Sequence, residues 1–192
     1  MKPLKIAPGN SKLGKIANLS TAPVVTCSNC KKCAKTCYAR KAYRMYKETK
    51  KAWDWNTRIT RENTLEEIAY DIVDYCYSKA PKYFRLHVSG DVESQKQLDS
   101  YKLAARACRD TRFLLFTKNF SLDYSNLPKN FKVVFSMFPG MENQNVPAGS
   151  IAYAGDCDKI RRGRVFDCPG HCDNCGMCWN LRNDEHVHFH MH

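Results

Sequence analysis

The stretch that decides the fold is KYFRLHVSG (82–90), followed by SQKQLDSYKLAARACRD (94–110) and RFLLFTK (112–118). The first and third segments are rich in β-branched and aromatic residues, and the middle one carries apolar residues at helical spacing. A strand, a helix and a second strand in this order form a βαβ unit, in which the two strands lie parallel. The stretch therefore predicts a parallel sheet with a helix packed against it.

Further β-rich runs extend this sheet towards the C-terminus. They are FKVVFSMF (131–138), SIAYAG (150–155), RVFD (164–167) and HVHFHMH (186–192). Several connections are too short for a full crossover helix, so an incomplete or degenerate βα barrel fits the chain better than a doubly wound sheet. We predict an α/β fold in a single domain over residues 1–192. Residues 1–23 would form an irregular arm, and residues 24–192 a partial barrel with cysteine-rich metal-binding loops near both termini.

Three segments predict helices. Residues 38–53 would form one helix, followed by a helix over residues 63–80 that Asn63 or Thr64 caps, and by the helix of segment 94–110. On the first helix, four cations would form one basic stripe: Arg40, Arg44, Lys47 and Lys51.

Charge and cysteine content limit the class of protein. The net charge of +12 could attract nucleic acid, an acidic protein or an anionic cofactor. The sequence has no long apolar run and no signal-like start, so we expect a reducing, cytoplasm-like compartment, where structural disulfides are uncommon. Of the eleven cysteines, Cys76 and Cys108 fall on apolar helix faces and should be buried as small apolar side chains. Metal binding is the better explanation for the others.

Eight cysteines form two groups. The first cysteine group is Cys27, Cys30, Cys33 and Cys37, with the C-x2-C-x2-C-x3-C spacing by which bacterial ferredoxins hold an iron–sulfur cubane. The second cysteine group is Cys168, Cys172, Cys175 and Cys178, with the same gaps in reverse order. These eight residues are the predicted metal ligands.

The spacing favours iron–sulfur over zinc. Structural zinc commonly uses two separated C-x2-C pairs, whereas here the pairs overlap at Cys30 and Cys175. A cubane presents iron atoms in several directions, so closely spaced thiolates on one loop can each reach a different iron. We expect one or two [4Fe-4S] clusters, with two favoured and zinc as the alternative. Cys157 could replace one ligand.

At these residues the chain resembles a phage-encoded iron–sulfur family described as TIM-barrel-containing and radical-SAM-like. The resemblance covers roughly residues 20–192. It is carried by CYA (37–39), LHVSGD (86–91), LLFTKN (114–119) and CPGHCDNCGMCW (168–179). It implies a radical-SAM-like partial barrel, a [4Fe-4S] centre and a location in the cytoplasm of an infected bacterium.

Binding of S-adenosylmethionine is a weaker expectation. Radical-SAM enzymes use C-x3-C-x2-C and leave one iron open, a spacing that occurs here only in the second cysteine group, where Cys178 could close that iron. Ser89, Gly90 and Asp91 could hold the cofactor's amino group at a strand end. A plain strand-to-helix turn is the alternative. Polar residues also follow the next strand, at Lys118 and its neighbours, and strand ends of this kind carry barrel active sites.

Three functions remain open from the sequence. The first is a [4Fe-4S] protein that is active in redox chemistry or electron transfer with an unknown redox partner. The second is a radical-SAM-type enzyme with an open cluster iron. The third is a zinc-stapled module that binds nucleic acid through the basic stripe and four aromatic side chains: Tyr43, Tyr46, Trp53 and Trp55.

The C-terminal run carries alternating histidines that would share one face of a strand: His186, His188, His190 and His192. Such a row suggests a metal site. No carboxylate or cysteine is interleaved with it, however, which favours a terminal edge strand with a polar face.

Overall fold

A computed structural model describes residues 2–11, 13–28, 33–34, 36–141, 143–155 and 163–190 of the protein. Two residues singled out above, Cys30 and Cys157, lie outside the described residues, as does His192.

The described residues form one seven-stranded sheet. Its strands are β1 (Ala17–Leu19), β2 (Tyr83–Leu86), β3 (Arg112–Thr117), β4 (Phe131–Met137), β5 (Ser150–Ala154), β6 (Arg164–Asp167) and β7 (Glu185–Phe189). Their spatial order is β1-β2-β3-β4-β5-β7-β6, and every neighbouring pair is parallel. Within the described residues β1 and β6 are the two edges and do not pair with each other, so the sheet is open. The predicted α/β class and parallel sheet are confirmed.

Two predictions about strands are wrong. The expected irregular arm, residues 1–23, contains β1, whose three buried residues are too few to show a sequence period and are fixed by pairing with β2. The C-terminal run was expected to form an edge strand, but β7 lies between β5 and β6. This position arises because the chain leaves β6, crosses one face of the sheet and then inserts the last strand beside β5.

The described helices are α1 (Tyr38–Met45), α2 (Lys47–Glu62), α3 (Leu65–Lys79), α4 (Gln95–Ala107) and the short α5 (Cys172–Cys175). None of them is long and apolar enough to cross a membrane. The prediction of one helix over residues 38–53 is wrong, because Tyr46 is extended and separates α1 from α2. The break allows α1 to pack on α2, where the ring of Tyr43 stacks on Trp53 with centroids 6.3 Å apart. Tertiary packing has overridden local helix propensity here.

The start of α3 is as predicted. Thr64 accepts a hydrogen bond from the Glu67 amide at 3.2 Å, and the Glu67 carboxylate accepts one from the Thr64 amide at 2.9 Å. This reciprocal pair satisfies two amides that the first turn of a helix leaves without partners.

The sheet has two differently covered faces because side chains alternate along each strand. On the outer face, Phe84, Phe113 and Val133 pack against Ile72 of α3 and Leu98 of α4. Cys76 and Cys108 belong to this core and are buried, as predicted. The inner face is formed by a second apolar cluster: Leu114, Phe116, Val134, Ala152 and Val187, with Trp179 and Leu181 packed against them.

Candidate metal centre

The second cysteine group crosses the inner face of the sheet. It begins directly after β6, where the Cys168 amide donates to the His188 carbonyl at 2.8 Å. It ends at Trp179, whose ring lies 4.9 Å from that of Tyr83 and whose Nε1 donates to the Phe84 carbonyl at 3.4 Å. The segment is therefore fixed at its start, beside β7, and at its end, beside β2.

A tight turn at Gly176 shapes this segment. Gly176 ends α5 with φ of +60°, a conformation that favours glycine. A Cβ atom at this position would lie 3.0 Å from the hydroxyl of Tyr83. The close approach holds α5 down on the inner face, beside β2.

The four thiols of the second cysteine group line one cavity, with Trp179 and Val187 among its other walls. Burial raises the pKa of Cys178 to about 12; the cation of Arg85 opposes this shift, and the other three thiols add to it. The four sulfurs are thus close enough to influence one another. Cys178 carries its proton at neutral pH, so a metal ion that binds it must displace that proton.

The sulfurs are nevertheless not gathered as tightly as in a zinc site. In a tetrahedral site with Zn–S distances of about 2.3 Å, neighbouring sulfurs are about 3.8 Å apart. Among the described residues, only Asp167, His188 and His190 bring three candidate ligand atoms within 4.8 Å of one another. The second cysteine group is fully described and shows no such set of three sulfurs.

The described cysteines of the first group, Cys27, Cys33 and Cys37, follow β1, and Cys27 and Cys33 lie near Lys118 at the C-terminal end of β3. Cys33 is buried, Cys27 and Cys37 are half-buried, and Cys37 precedes α1 as its N-cap. The preceding Thr26 anchors the loop, since its hydroxyl donates to the Ala22 carbonyl at 2.9 Å and accepts from the Asp91 amide at 3.1 Å.

One cation lies beside each cysteine group. Burial by itself would lower the pKa of Lys118. The Asp91 carboxylate is the largest opposing influence, and the thiols of Cys33 and Cys27 add to it, so the pKa is raised overall. Arg85, on the inner face, lies near Cys178 and places its guanidinium 4.1 Å from the ring centre of Phe116. The Nε of Arg85 is buried and has no hydrogen-bond partner among the described residues.

Tyr38 connects the two groups. The residue is more than half exposed, and its hydroxyl donates a short hydrogen bond to the carbonyl of Val88. Burial of the hydroxyl raises the pKa of Tyr38, and the two cations just described oppose the shift. The thiols of Cys37 and Cys172 reinforce it, so both cysteine groups lie within electrostatic range of one phenol.

The segment Ser89, Gly90 and Asp91, predicted to hold S-adenosylmethionine, is the turn between β2 and α4. Asp91 is fully buried, and its two carboxylate oxygens accept from the amides of Val92 and Lys118, each at 2.8 Å. The hydroxyl of Ser89 is buried without a hydrogen-bond partner among the described residues. This geometry is that of a closed strand-to-helix turn, and the cofactor role remains a prediction.

A buried histidine beside this turn was not anticipated. His87 has φ of +55° and is 3% exposed, with Nδ1 3.2 Å from the Thr21 hydroxyl and Nε2 3.0 Å from the Tyr101 hydroxyl. Burial lowers the pKa of His87 to about 3, and the nearby cations Arg85 and Lys118 also favour the neutral ring. A single histidine in a predicted strand carries no pattern that would indicate a buried, neutral ring.

The residues of the predicted basic stripe do not share one helix, because α1 ends before Lys47. Arg40 donates to the Ala34 carbonyl at 2.7 Å, and Lys51 pairs with Glu48 at 2.7 Å.

The aromatic side chains predicted for stacking also differ in their surroundings. Trp53 stacks on Tyr43, and Trp55 donates its Nε1 to the Pro3 carbonyl at 2.8 Å, whereas Tyr46 is exposed. Nucleic-acid binding through this surface stays a prediction.

Together these features define a parallel α/β protein in which Cys37 of the first cysteine group and Cys172 of the second lie within electrostatic range of Tyr38, beside an open sheet. The chain belongs to the family described as "Gene product 88", whose model matches residues 3–154. It is 29% identical to the "Gene 88 protein" of Mycobacterium phage D29 over 185 aligned residues, covering 78% of this chain and 76% of that protein. No solved structure matches it. The phage part of the resemblance is confirmed; the matching names say nothing of iron–sulfur or radical-SAM chemistry.

Proposed function

We propose that the protein binds [4Fe-4S] clusters through its two cysteine groups and serves in redox chemistry or electron transfer. The observation that carries this proposal is the proximity of the two groups: Tyr38, directly after Cys37, donates to the Val88 carbonyl, and Val88 packs against the same inner cluster as Cys172 and Cys178. Cysteines far apart along the chain have little other reason to be brought close together in a reducing compartment. Metal binding supplies one.

The charges around the groups support a cluster. A [4Fe-4S] centre with four thiolates carries a net charge of about −2, which is costly to hold away from water unless cations lie near it. Lys118 beside Cys33 and Arg85 beside Cys178 are placed to offset that charge. The buried, unpartnered Nε of Arg85 is a donor that a cluster sulfide or cysteine sulfur could accept from.

The strand order supports the finer prediction of an incomplete barrel. The strands β1 to β5 are neighbours in chain order, with no reversal at the centre of the sheet. Doubly wound sheets reverse their strand order at a switch point. Cys27 and Cys33 lie near Lys118, at the C-terminal end of β3, where a barrel would carry its site.

The second candidate, a radical-SAM-type enzyme, is less well supported. It requires an open iron, but Cys178 lines the same cavity as Cys168, Cys172 and Cys175 and is available as a fourth ligand. It also requires a group to hold the amino acid part of the cofactor, and both carboxylate oxygens of Asp91 already accept backbone hydrogen bonds. Electron transfer needs neither an open iron nor this pocket.

The test is anaerobic purification followed by iron, sulfide and zinc counts on wild type and three variants. Cys33→Ser and Cys175→Ser each remove one proposed ligand, and Cys108→Ala is the control, because Cys108 is buried in the outer core away from both groups. We expect iron and sulfide in equal amounts, near eight of each for two clusters, with losses in both Ser variants and none in the control. Full iron loading in both Ser variants would refute the ligand assignment.

The same preparations separate the alternatives. Zinc without sulfide, together with binding of DNA or RNA that weakens steeply with salt, would favour the zinc-stapled module instead. Formation of 5′-deoxyadenosine from S-adenosylmethionine by the reduced, fully loaded protein would favour the radical-SAM-type enzyme.

A further inference from the structure

The ends of β6 and β7 carry a cluster of potential metal ligands on the outer face, although its first member, Asp167, directly precedes Cys168. Asp167 is the last residue of β6 and pairs in parallel register with His188 of β7. His190 follows two residues later and therefore points to the same side as His188. Phe166 and Val187, one residue away on each strand, pack instead into the inner cluster beside the second cysteine group.

The ligand atoms are already close together. Nδ1 of His188 lies 2.8 Å from Oδ1 of Asp167, and Nε2 of His190 lies 3.5 Å from the same oxygen. A tetrahedral ion bound at about 2.0–2.2 Å from nitrogen and oxygen ligands separates those ligands by about 3.3–3.6 Å, so the contact between His188 and Asp167 must open slightly. The side chains of Asp167 and His190 are 70% and 64% exposed, so both can make the small rotations that such an ion requires.

The buried member is held in the correct orientation. Nε2 of His188 lies 3.0 Å from the carbonyl oxygen of Gly155. A carbonyl can only accept a hydrogen bond, so Nε2 donates to it, and Nδ1 is the ring nitrogen that faces Asp167 and would bind the ion in place of its present contact with the carboxylate oxygen. Histidines that bind metals usually donate their other ring N–H to a carbonyl or carboxylate in this way.

From this geometry we propose that Asp167, His188 and His190 bind one divalent transition-metal ion of the zinc class, independently of the cysteine groups. Two imidazoles and one carboxylate suit Zn²⁺ and similar ions, whereas Mg²⁺ and Ca²⁺ prefer sets made only of oxygen. Three protein ligands on an exposed strand end leave coordination positions for water. This inference does not depend on what the cysteine groups bind.

The test counts zinc in the full chain after equilibration with Zn²⁺, and it compares variants with wild type. His190→Ala and Asp167→Asn alter exposed side chains, and Asp184→Asn is a control that alters an exposed carboxylate outside the site and outside the cavity of the second cysteine group. We expect the first two variants to lose one zinc per chain. Their loss of affinity should exceed the roughly 10–100-fold that follows loss of an outer contact. The control should keep that zinc, and all three should keep the iron and sulfide content of wild type.

Two results would overturn the proposal. One is a zinc count in His190→Ala and Asp167→Asn equal to that of wild type. The other is thiolate-to-metal charge transfer in the part of the Co²⁺ spectrum that disappears in His190→Ala, because that would assign this ion to cysteine sulfur. If the cysteine groups held zinc instead of a cluster, the one-zinc difference between wild type and His190→Ala would still be expected, so the two proposals fail separately.

Discussion

Replacing Gly90 with alanine tests whether the turn after β2 is closed, as the geometry indicates, or leaves room for a ligand. Gly90 has φ of +75°, and a Cβ atom there would lie 2.1 Å from the Thr21 hydroxyl and 2.5 Å from the Thr26 hydroxyl. Neither threonine can move freely, because the two hydroxyls are 3.0 Å apart and Thr26 also bonds the Ala22 carbonyl. The methyl group must therefore displace a buried hydrogen-bonded pair.

The expected loss of unfolding free energy in Gly90→Ala has two parts. Alanine at positive φ costs about 1–2 kcal/mol, reduced by about 0.4–1 kcal/mol because alanine restricts the unfolded chain. Overpacking adds about 1–3 kcal/mol. Gly170 is a matched control, since its φ is +87° but nothing lies within 4 Å of its Cβ position. Gly90→Ala should therefore lose about 1–3 kcal/mol more than Gly170→Ala, or about 2–12 °C in Tm for a domain of this size.

The assay is chemical denaturation of both variants at the iron content of wild type, because Gly170 lies between two proposed ligands. The slope with denaturant should stay unchanged, so that the midpoint reports stability. Equal losses in the two variants would refute the reasoning. They would mean that the space at Gly90 is open, and the S-adenosylmethionine site predicted at Ser89, Gly90 and Asp91 would regain support.

Three more variants test the cap of α3, the cation at Lys118 and the buried ring of His87. Thr64→Ala should lower the free energy of unfolding by about 1 kcal/mol by removing the cap of α3, whereas Thr64→Ser should lose much less; urea denaturation measures both. Lys118→Met should reduce iron loading because the thiols of Cys27 and Cys33 lose their nearby cation, and the exposed Lys129→Met should not; equal loading in the two would contradict the charge argument. Because burial lowers the pKa of His87 from 6.5 to about 3, the unfolded chain binds a proton that the folded chain does not as pH falls through this range. Stability should then decline by up to about 1.4 kcal/mol per pH unit below pH about 6.5, and His87→Asn should decline less steeply.

Much of the sheet could be predicted because its strands are long enough to show their pattern. The run RFLLFTK predicts β3, because its apolar residues are buried on both faces of the sheet. β1 could not be found in the same way, since three residues carry no period and their pairing with β2 depends on the rest of the fold. The break at Tyr46 was missed for a related reason, because the contact between Tyr43 and Trp53 exists only once α1 and α2 pack together.

The candidate sites show the same difference between features that local sequence indicates and features that depend on strand pairing. Ligand types and spacing pointed to the cysteine groups, and the position of Lys118 after a strand marked it as polar at a strand end. Asp167 could not be connected with His188, because they are 21 residues apart and meet only through the pairing of β6 with β7. The alternating histidines were visible in the sequence, but the carboxylate that completes their site comes from a different strand.

The measurement that tests the central proposal most directly is the Mössbauer spectrum of the anaerobically purified full chain, taken together with its zinc content. We expect the spectrum of [4Fe-4S] clusters to account for nearly all the iron, with zinc confined to the site of Asp167, His188 and His190. Protein without iron, in which zinc fills the cysteine groups, would contradict the proposal.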